Sequence, residues 1–313
     1  MTRAFVFPGQ GSQTVGMGKA LAEAMPTARH VFEEVDEALQ QSLSRLMFEG
    51  PMEELTLTEN AQPALMAVSI AVLRVLEKDG GIDLGKQVRF VAGHSLGEYS
   101  ALCAARSLPL DVTARLLKQR GQAMQQAVPV GQGAMAALLG LDLKDAQGVA
   151  RDAAQGEVCD PANDNAPGQV VVSGHASAVE RAVELAKERG ARRPMLLPVS
   201  APFHCSLMQP AADVMAEALA KADLLAPVVP VVANVTAEAV SDPDQIRELL
   251  VQQVTRTVRW RESVGYMKEH NVDTLVEIGA GKVLTTMLKR IDRELTGIAV
   301  GTPEEIEAFE KAV

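Results

Sequence analysis

An apolar run, Val88-Arg89-Phe90-Val91-Ala92, stops at Gly93-His94-Ser95-Leu96-Gly97 and passes at once into a helix-compatible stretch from Glu98. A serine set between two glycines at such a junction forms a nucleophile elbow, a sharp strand-to-helix turn that lifts the hydroxyl to the mouth of a site. Both glycines are needed, because a side chain two residues either side of the serine would block the turn. A bare G-x-S-x-G arises by chance in roughly one chain of this size in ten, with Gly at about 7% of positions. The strand before it and the helix after it supply the specificity. Ser95 is therefore the candidate nucleophile. The amide of Leu96 opens the helix and points where an oxyanion would form, so one backbone donor comes with the turn.

The remaining pattern agrees with an α/β chain. Residues 3–8 read as a strand, Pro8–Gln13 as a tight loop, and helical periodicity runs through 28–46 and 61–77. After the strand at 88–93 come helices at 96–105 and 110–127, so strands alternate with helices and the spacing predicts a parallel, helix-covered sheet. Between 129 and 199 the order changes to β-α-β-β-α-β: strand 134–141, helix 143–155, strands 157–160 and 169–173, helix 176–189, strand 194–199. That order is ferredoxin-like and compact enough for a small subdomain. The chain thus divides into a core of 1–128 with 200–313 and an insertion of 129–199. Strands near 228–233, 273–278 and 297–300 rejoin the larger sheet.

A length of 313 residues with 47% apolar and 22% charged residues is ordinary globular composition. The start, Met1 to Pro8, is too short and too soon interrupted for a signal peptide, and no run reaches spanning length, which predicts a cytoplasmic chain with no membrane partner. Cys103, Cys159 and Cys205 are odd in number and scattered, so they read as buried thiols rather than disulfides or metal ligands. A net charge of −10 with one Trp and two Tyr argues against a nucleic-acid surface.

A serine nucleophile needs a base, and five histidines are available: His30, His94, His175, His204 and His270. His30, His175 and His270 lie in or at the ends of helices, and His94, beside the nucleophile, is expected to point away from it; all four read as surface or capping groups. His204, in Ser200-Ala201-Pro202-Phe203-His204, sits where the insertion returns to the core, and such boundaries form clefts. Asp213 and Glu277 follow in the chain, but neither has a triad context, so a carbonyl or amide could hold the imidazole instead. The loop Pro8-Gly9-Gln10-Gly11-Ser12-Gln13 could complete an oxyanion hole, though by itself it reads as a helix-initiating turn with Ser12 as cap. It lacks the lysine and hydroxyl of a P-loop. Arg120, in Leu116-Leu117-Lys118-Gln119-Arg120-Gly121, reads as an exposed helix cation before a glycine cap.

Taken together, Phe7–Gln13, Gly93–Glu98, Gln119-Arg120-Gly121, Ser200–His204 and Glu277-Ile278-Gly279-Ala280-Gly281-Lys282-Val283-Leu284 resemble, in order, the motifs of malonyl-CoA:acyl carrier protein transacylases. The resemblance runs from about residue 3 to residue 300. It implies a hydrolase-like core, and a ping-pong transfer in fatty acid biosynthesis from malonyl-CoA through Ser95 to the thiol of acyl carrier protein, with His204 as base and then acid. It places the oxyanion donors at the amides of Gln10 and Leu96, the malonate carboxylate on Arg120, and the carbonyl that orients the histidine at Gln253. The neighbouring Gln252 leaves that last position ambiguous by one place, and Thr255-Arg256-Thr257-Val258 departs from the family's asparagine-proline-valine step. Phe203 looks like the malonyl-selective form, leaving no room for an α-methyl branch. The resemblance implies a monomer, and neither metal nor cofactor, coenzyme A entering with the substrate.

A carrier protein is acidic, so a chain at −10 must offer local positive charge. Two clusters qualify: Lys187, Arg189, Arg192 and Arg193, or Arg256, Arg259 and Arg261 with Lys282 and Lys289. Rival readings are a serine hydrolase, a non-catalytic carrier-binding protein, and a transferase serving another carrier such as one of polyketide assembly.

Overall fold

A computed structural model describes residues 1–312. Ten strands build two sheets: β1 (Arg3–Phe7), β2 (Val88–Gly93), β3 (Gly133–Leu139), β4 (Cys159–Ala166), β5 (Gln169–His175), β6 (Arg193–Leu196), β7 (Val231–Val232), β8 (Ala239–Val240), β9 (Thr274–Ile278) and β10 (Thr296–Val300). The first sheet has the order β10-β9-β1-β2-β7-β8, parallel except for the antiparallel β7–β8 edge. Its central strands are largely apolar on both faces, since both are packed against buried groups. Phe5, Phe7, Val91 and Val276 pack into one core, while Ala4, Val6, Phe90 and Leu275 pack into the other with Trp260. Side chains alternate across a strand, so a buried parallel sheet shows a continuous hydrophobic run instead of an alternating one.

The second sheet is antiparallel, in the order β4-β5-β3-β6. Helices Leu143–Ala154 and Ala176–Glu188 pack on one of its faces, burying Leu138, Val149, Val172 and Val179. The opposite face, with Met135, Ala137 and Val171, joins the main core. That face roofs the site described below. Val258 ties the two parts together, donating its amide to Ala162 and accepting from that of Asp164, each at 2.9 Å.

Some sequence expectations shift. The helix expected over 28–46 is two, Pro26–Leu39 and Leu43–Glu49, broken at Gln40 with φ 50°. The strand expected at 157–160 is the longer β4, running through Asp160-Pro161-Ala162-Asn163-Asp164-Asn165, a composition that reads as a turn. Register shifts at Pro161/Asn163 and Asp164/Ala166 absorb the misfit as bulges, and β4 thereby delivers Asn163 and Asn165 to the site. The expected strands at 194–199 and 228–233 shorten to β6 and β7, and β8 was not foreseen. No helix among the described residues is long and apolar enough to cross a membrane.

Candidate active site

The elbow is built from backbone contact. A Cβ on Gly93 would sit 1.9 Å from the Gly97 carbonyl carbon, and one on Gly97 would sit 2.3 Å from the Phe7 oxygen. Close approach, rather than an unusual dihedral, therefore demands both glycines. The strain falls on Ser95, at φ 54° and ψ −112°, a region that costs a non-glycine residue about 1–3 kcal/mol. Surrounding bonds hold it there: the Ser95 amide donates to Asn234 Oδ1 at 2.8 Å, and Asn234 Nδ2 donates to the Gly93 carbonyl at 2.7 Å.

Ser95 Oγ lies 2.8 Å from His204 Nε2. His204 Nδ1 lies 2.8 Å from the backbone oxygen of Gln253, which leaves Nε2 free to accept the serine proton. The neighbouring Gln252 turns away, donating to Glu248 Oε1 at 3.0 Å. His204 sits at φ 57° in a loop pinned by Asp160, whose Oδ2 accepts from the amide and hydroxyl of Ser206, each at 2.9 Å. Burial first, then the positive charge of Arg120, pulls the His204 pKa down to about 3, so the imidazole is neutral near pH 7. Neither acid downstream takes part. Asp213 accepts from Gln209, and Glu277 caps the helix Val283–Ile291 by accepting from the amides of Leu284 and Thr285.

Arg120 corrects the reading of its own segment. The helix Leu110–Gln126 continues past Gly121, whose missing side chain lets the backbone approach Glu59 (a Cβ would meet its Cα at 2.5 Å), so the glycine is a helix contact and not a cap. Arg120 is 1% exposed. Its Nη1 donates to Gln62 Oε1 at 2.7 Å, and its Nη2 to Gln253 Oε1 at 2.8 Å and Ser95 Oγ at 3.2 Å. Among the described residues no carboxylate forms an ion pair with it, and its Nε has no partner. A buried guanidinium held by neutral oxygens keeps its affinity for an incoming carboxylate.

A cavity of about 440 Å³ opens over these groups, lined by Gln10, Ser95, Leu96, Arg120 and His204 on its polar side and by Met124, Met135 and Phe203 on its apolar side. The loop carrying Gln10 crowds the elbow, for a Cβ on Gly9 would meet the His94 oxygen at 2.7 Å. Gln10 Oε1 accepts from Thr58 Oγ1, which accepts from Gln62 Nε2, each at 2.9 Å, so a chain of hydrogen bonds connects this loop to Arg120. Ser12 is not a helix cap: it is buried with an unpartnered hydroxyl, and the first helix begins only at Lys19.

His94 is likewise not a surface group. It lines the cavity with Nε2 2.8 Å from Asn165 Oδ1 and its ring near Trp260, and burial pulls its pKa below the ordinary value. His30 is exposed, His175 accepts from the Val158 amide at 2.9 Å, and His270 stacks on Tyr266. Cys103, Cys159 and Cys205 are buried free thiols. Sequence reasoning missed Gln62, Glu98, Asn163, Asn165 and Asn234. Only Glu98 carried a signal, as the acid three residues after the candidate nucleophile.

Similarity to known proteins bears on this geometry. The acyl transferase domain family matches residues 4–302. The malonyl CoA-acyl carrier protein transacylase of Bacillus subtilis (strain 168) is 48% identical over 305 residues, covering 97% of this chain and 95% of that protein. The crystal structure of the acyl-carrier-protein-S-malonyltransferase from Bartonella henselae superposes with a TM-score of 0.97 at 57% identity, covering 100% of this chain and 99% of that one. A complex of a type II polyketide acyl-carrier protein with its malonyl-transacylase gives a TM-score of 0.96 at 42% identity, with full coverage of both chains.

Proposed function

Because this chain belongs to the acyl transferase domain family and, within it, to the malonyl-CoA:acyl carrier protein transacylases, we propose that it moves a malonyl group from coenzyme A to the pantetheine thiol of acyl carrier protein through an ester on Ser95. His204 Nε2 takes the Oγ proton as Oγ attacks the thioester carbon. The oxyanion forms against the amides of Gln10 and Leu96, where losing one donor would cost about 3 kcal/mol. The C–S bond then breaks, and His204 returns the proton to the departing coenzyme A sulfur. The carrier thiol next gives its proton to Nε2 and attacks the ester carbon. The C–O bond breaks, and the proton restores the Ser95 hydroxyl.

The observation that carries this reading is that one oxygen, Ser95 Oγ, is reached by both His204 Nε2 at 2.8 Å and Arg120 Nη2 at 3.2 Å. An acyl group on Oγ with a carboxylate at its far end can fold back onto the guanidinium; an acetyl group would leave that cation unpaired. Residues 129–199 act in this reading as a ferredoxin-like insertion that roofs the hydrolase-like core formed by 1–128 and 200–313.

Mass spectrometry of the intact protein after brief exposure to malonyl-CoA tests it. One malonyl group should appear on the wild type and none on Ser95→Ala, with the ester discharged by acyl carrier protein and only slowly by water. Rapid turnover of malonyl-CoA without carrier would make the protein a hydrolase instead.

A further inference from the structure

Glu98 lies in the first turn of the helix Leu96–Ala104, whose N-cap residue is Ser95. Serine at the cap with glutamate three residues on is the sequence of a capping box, in which the carboxylate would accept from the cap residue's own amide. Here that bond is not made. Asn234 stands between: the Ser95 amide donates to Asn234 Oδ1 at 2.8 Å, and the Asn234 amide donates to Glu98 Oε2 at 3.1 Å. The same Oε2 accepts from Gln253 Nε2 at 2.7 Å.

Gln253 is the residue whose backbone oxygen holds His204, and its side-chain oxygen accepts from Arg120. Its side-chain amide thus stands between a buried guanidinium and a buried carboxylate. The carboxyl holds the amide that contacts the guanidinium without occupying the guanidinium's own free donors. A direct ion pair would have to be broken by every incoming carboxylate. Glu98 is 2% exposed, and burial pushes its pKa up to about 7 against the opposing pull of its two hydrogen bonds and Arg120.

We propose that Glu98 is a positioning residue for the transfer: its Oε2 locks Gln253 and Asn234 in place, and through them fixes the imidazole of His204 and the strained backbone of Ser95. This rests on the reading of Ser95 and His204 as nucleophile and base. The role belongs to an oxygen at a given reach, so Glu98→Gln, which keeps that oxygen, should preserve it. Glu98→Asp keeps the charge but withdraws the carboxylate by one methylene and should not.

The readout is the rate at which diisopropyl fluorophosphate modifies Ser95, which needs neither malonyl-CoA nor carrier. Glu98→Gln should react within about threefold of wild type, and Glu98→Asp about tenfold or more slowly, as expected for a buried donor left without its acceptor. Thermal melting of each variant, measured alongside, should not reproduce that ranking. Glu98→Asp reacting like wild type, or Glu98→Gln slowed as much as Glu98→Asp, overturns the proposal. Should Glu98→Asp fail to fold, Glu98→Met, of similar length and with only a weak thioether acceptor, takes its place with the same expected slowing and the same reversal. Malonyl labelling of the wild type stands apart from this ranking, so a failed substrate assignment and a failed role for Glu98 remain distinguishable.

Discussion

The Nδ1 of His204 rests 2.8 Å from the backbone oxygen of Gln253, so a carbonyl, and not a carboxylate, orients the imidazole. Among the described residues no acid contacts the ring, while Arg120 and His94 disfavour a second proton there and burial disfavours it most.

The pH dependence follows from that arrangement. With its pKa at about 3, His204 is neutral throughout the physiological range. Acylation of Ser95 by malonyl-CoA should change less than about threefold between pH 8 and pH 5, whereas a histidine titrating at its ordinary value of about 6.5 would lose about thirtyfold. Rapid-quench measurement of the ester across that range checks it. Stability carries the matching sign: the unfolded chain takes up this proton near 6.5 and the folded chain only near 3, so His204 removes stability as pH falls through that interval.

Arg120→Met should separate substrates rather than silence the enzyme. With Arg120 as the proposed partner of the malonate carboxylate, the variant should lose about 3 kcal/mol or more, the cost of an unpaired buried charge, or about two orders of magnitude in kcat/KM for malonyl-CoA. Transfer from acetyl-CoA, which has no carboxylate to place, should hold or rise. An equal fall for both thioesters would mean that Arg120 supports the fold of the site and not its selectivity.

How far the sequence reveals this site depends on whether a residue's role is local. The elbow was legible because a strand, two glycines and a helix start are all written within ten positions of Ser95. Arg120 was not legible from its own segment, because the groups that surround it, Gln62, Ser95 and Gln253, all lie far away in the chain, and the resemblance alone pointed to it. Asn163 and Asn165 were hidden because bulges carry β4 through a turn-like composition. Asn234 follows the two-residue strand β7, too short to give any period, and its partners Ser95 and Glu98 lie more than a hundred positions away.

Phe203 lines the cavity immediately before His204 and is 9% exposed. If an acyl group on Ser95 lies against this ring, the ring would limit the volume beside its α-carbon, and a methylene of unwelcome bulk is worth about 1–3 kcal/mol. Phe203→Ser should therefore raise the ratio of methylmalonyl to malonyl transfer at least about tenfold in a side-by-side assay of the competing thioesters. An unchanged ratio would place the selectivity elsewhere on the cavity wall.

The carrier must approach a protein of net charge −10, so the basic groups that remain unpaired matter more than their number. In the second cluster Arg259 pairs with Glu262, Arg261 with Asp164 and Lys282 with Glu305, while Arg256 and Lys289 are exposed and enter no ion pair with another described residue. In the first, Lys187 pairs with Glu184 and Arg189 with Asp152. Arg192 and Arg193 are exposed and enter no ion pair with another described residue, and the chain beyond β6 runs directly into Leu197, Pro198 and Val199 on the cavity wall. A carrier seated on them would stand beside that wall of the cavity. Reversing both, Arg192→Glu with Arg193→Glu, should raise KM for the carrier by about tenfold and flatten its salt dependence, because rim charges act chiefly on encounter. Acylation by saturating malonyl-CoA, followed in the same variant without carrier, should stay within about twofold, since rim charges act on encounter and not on the chemical step. A parallel fall in both half-reactions, or in neither, would move the docking surface away from β6.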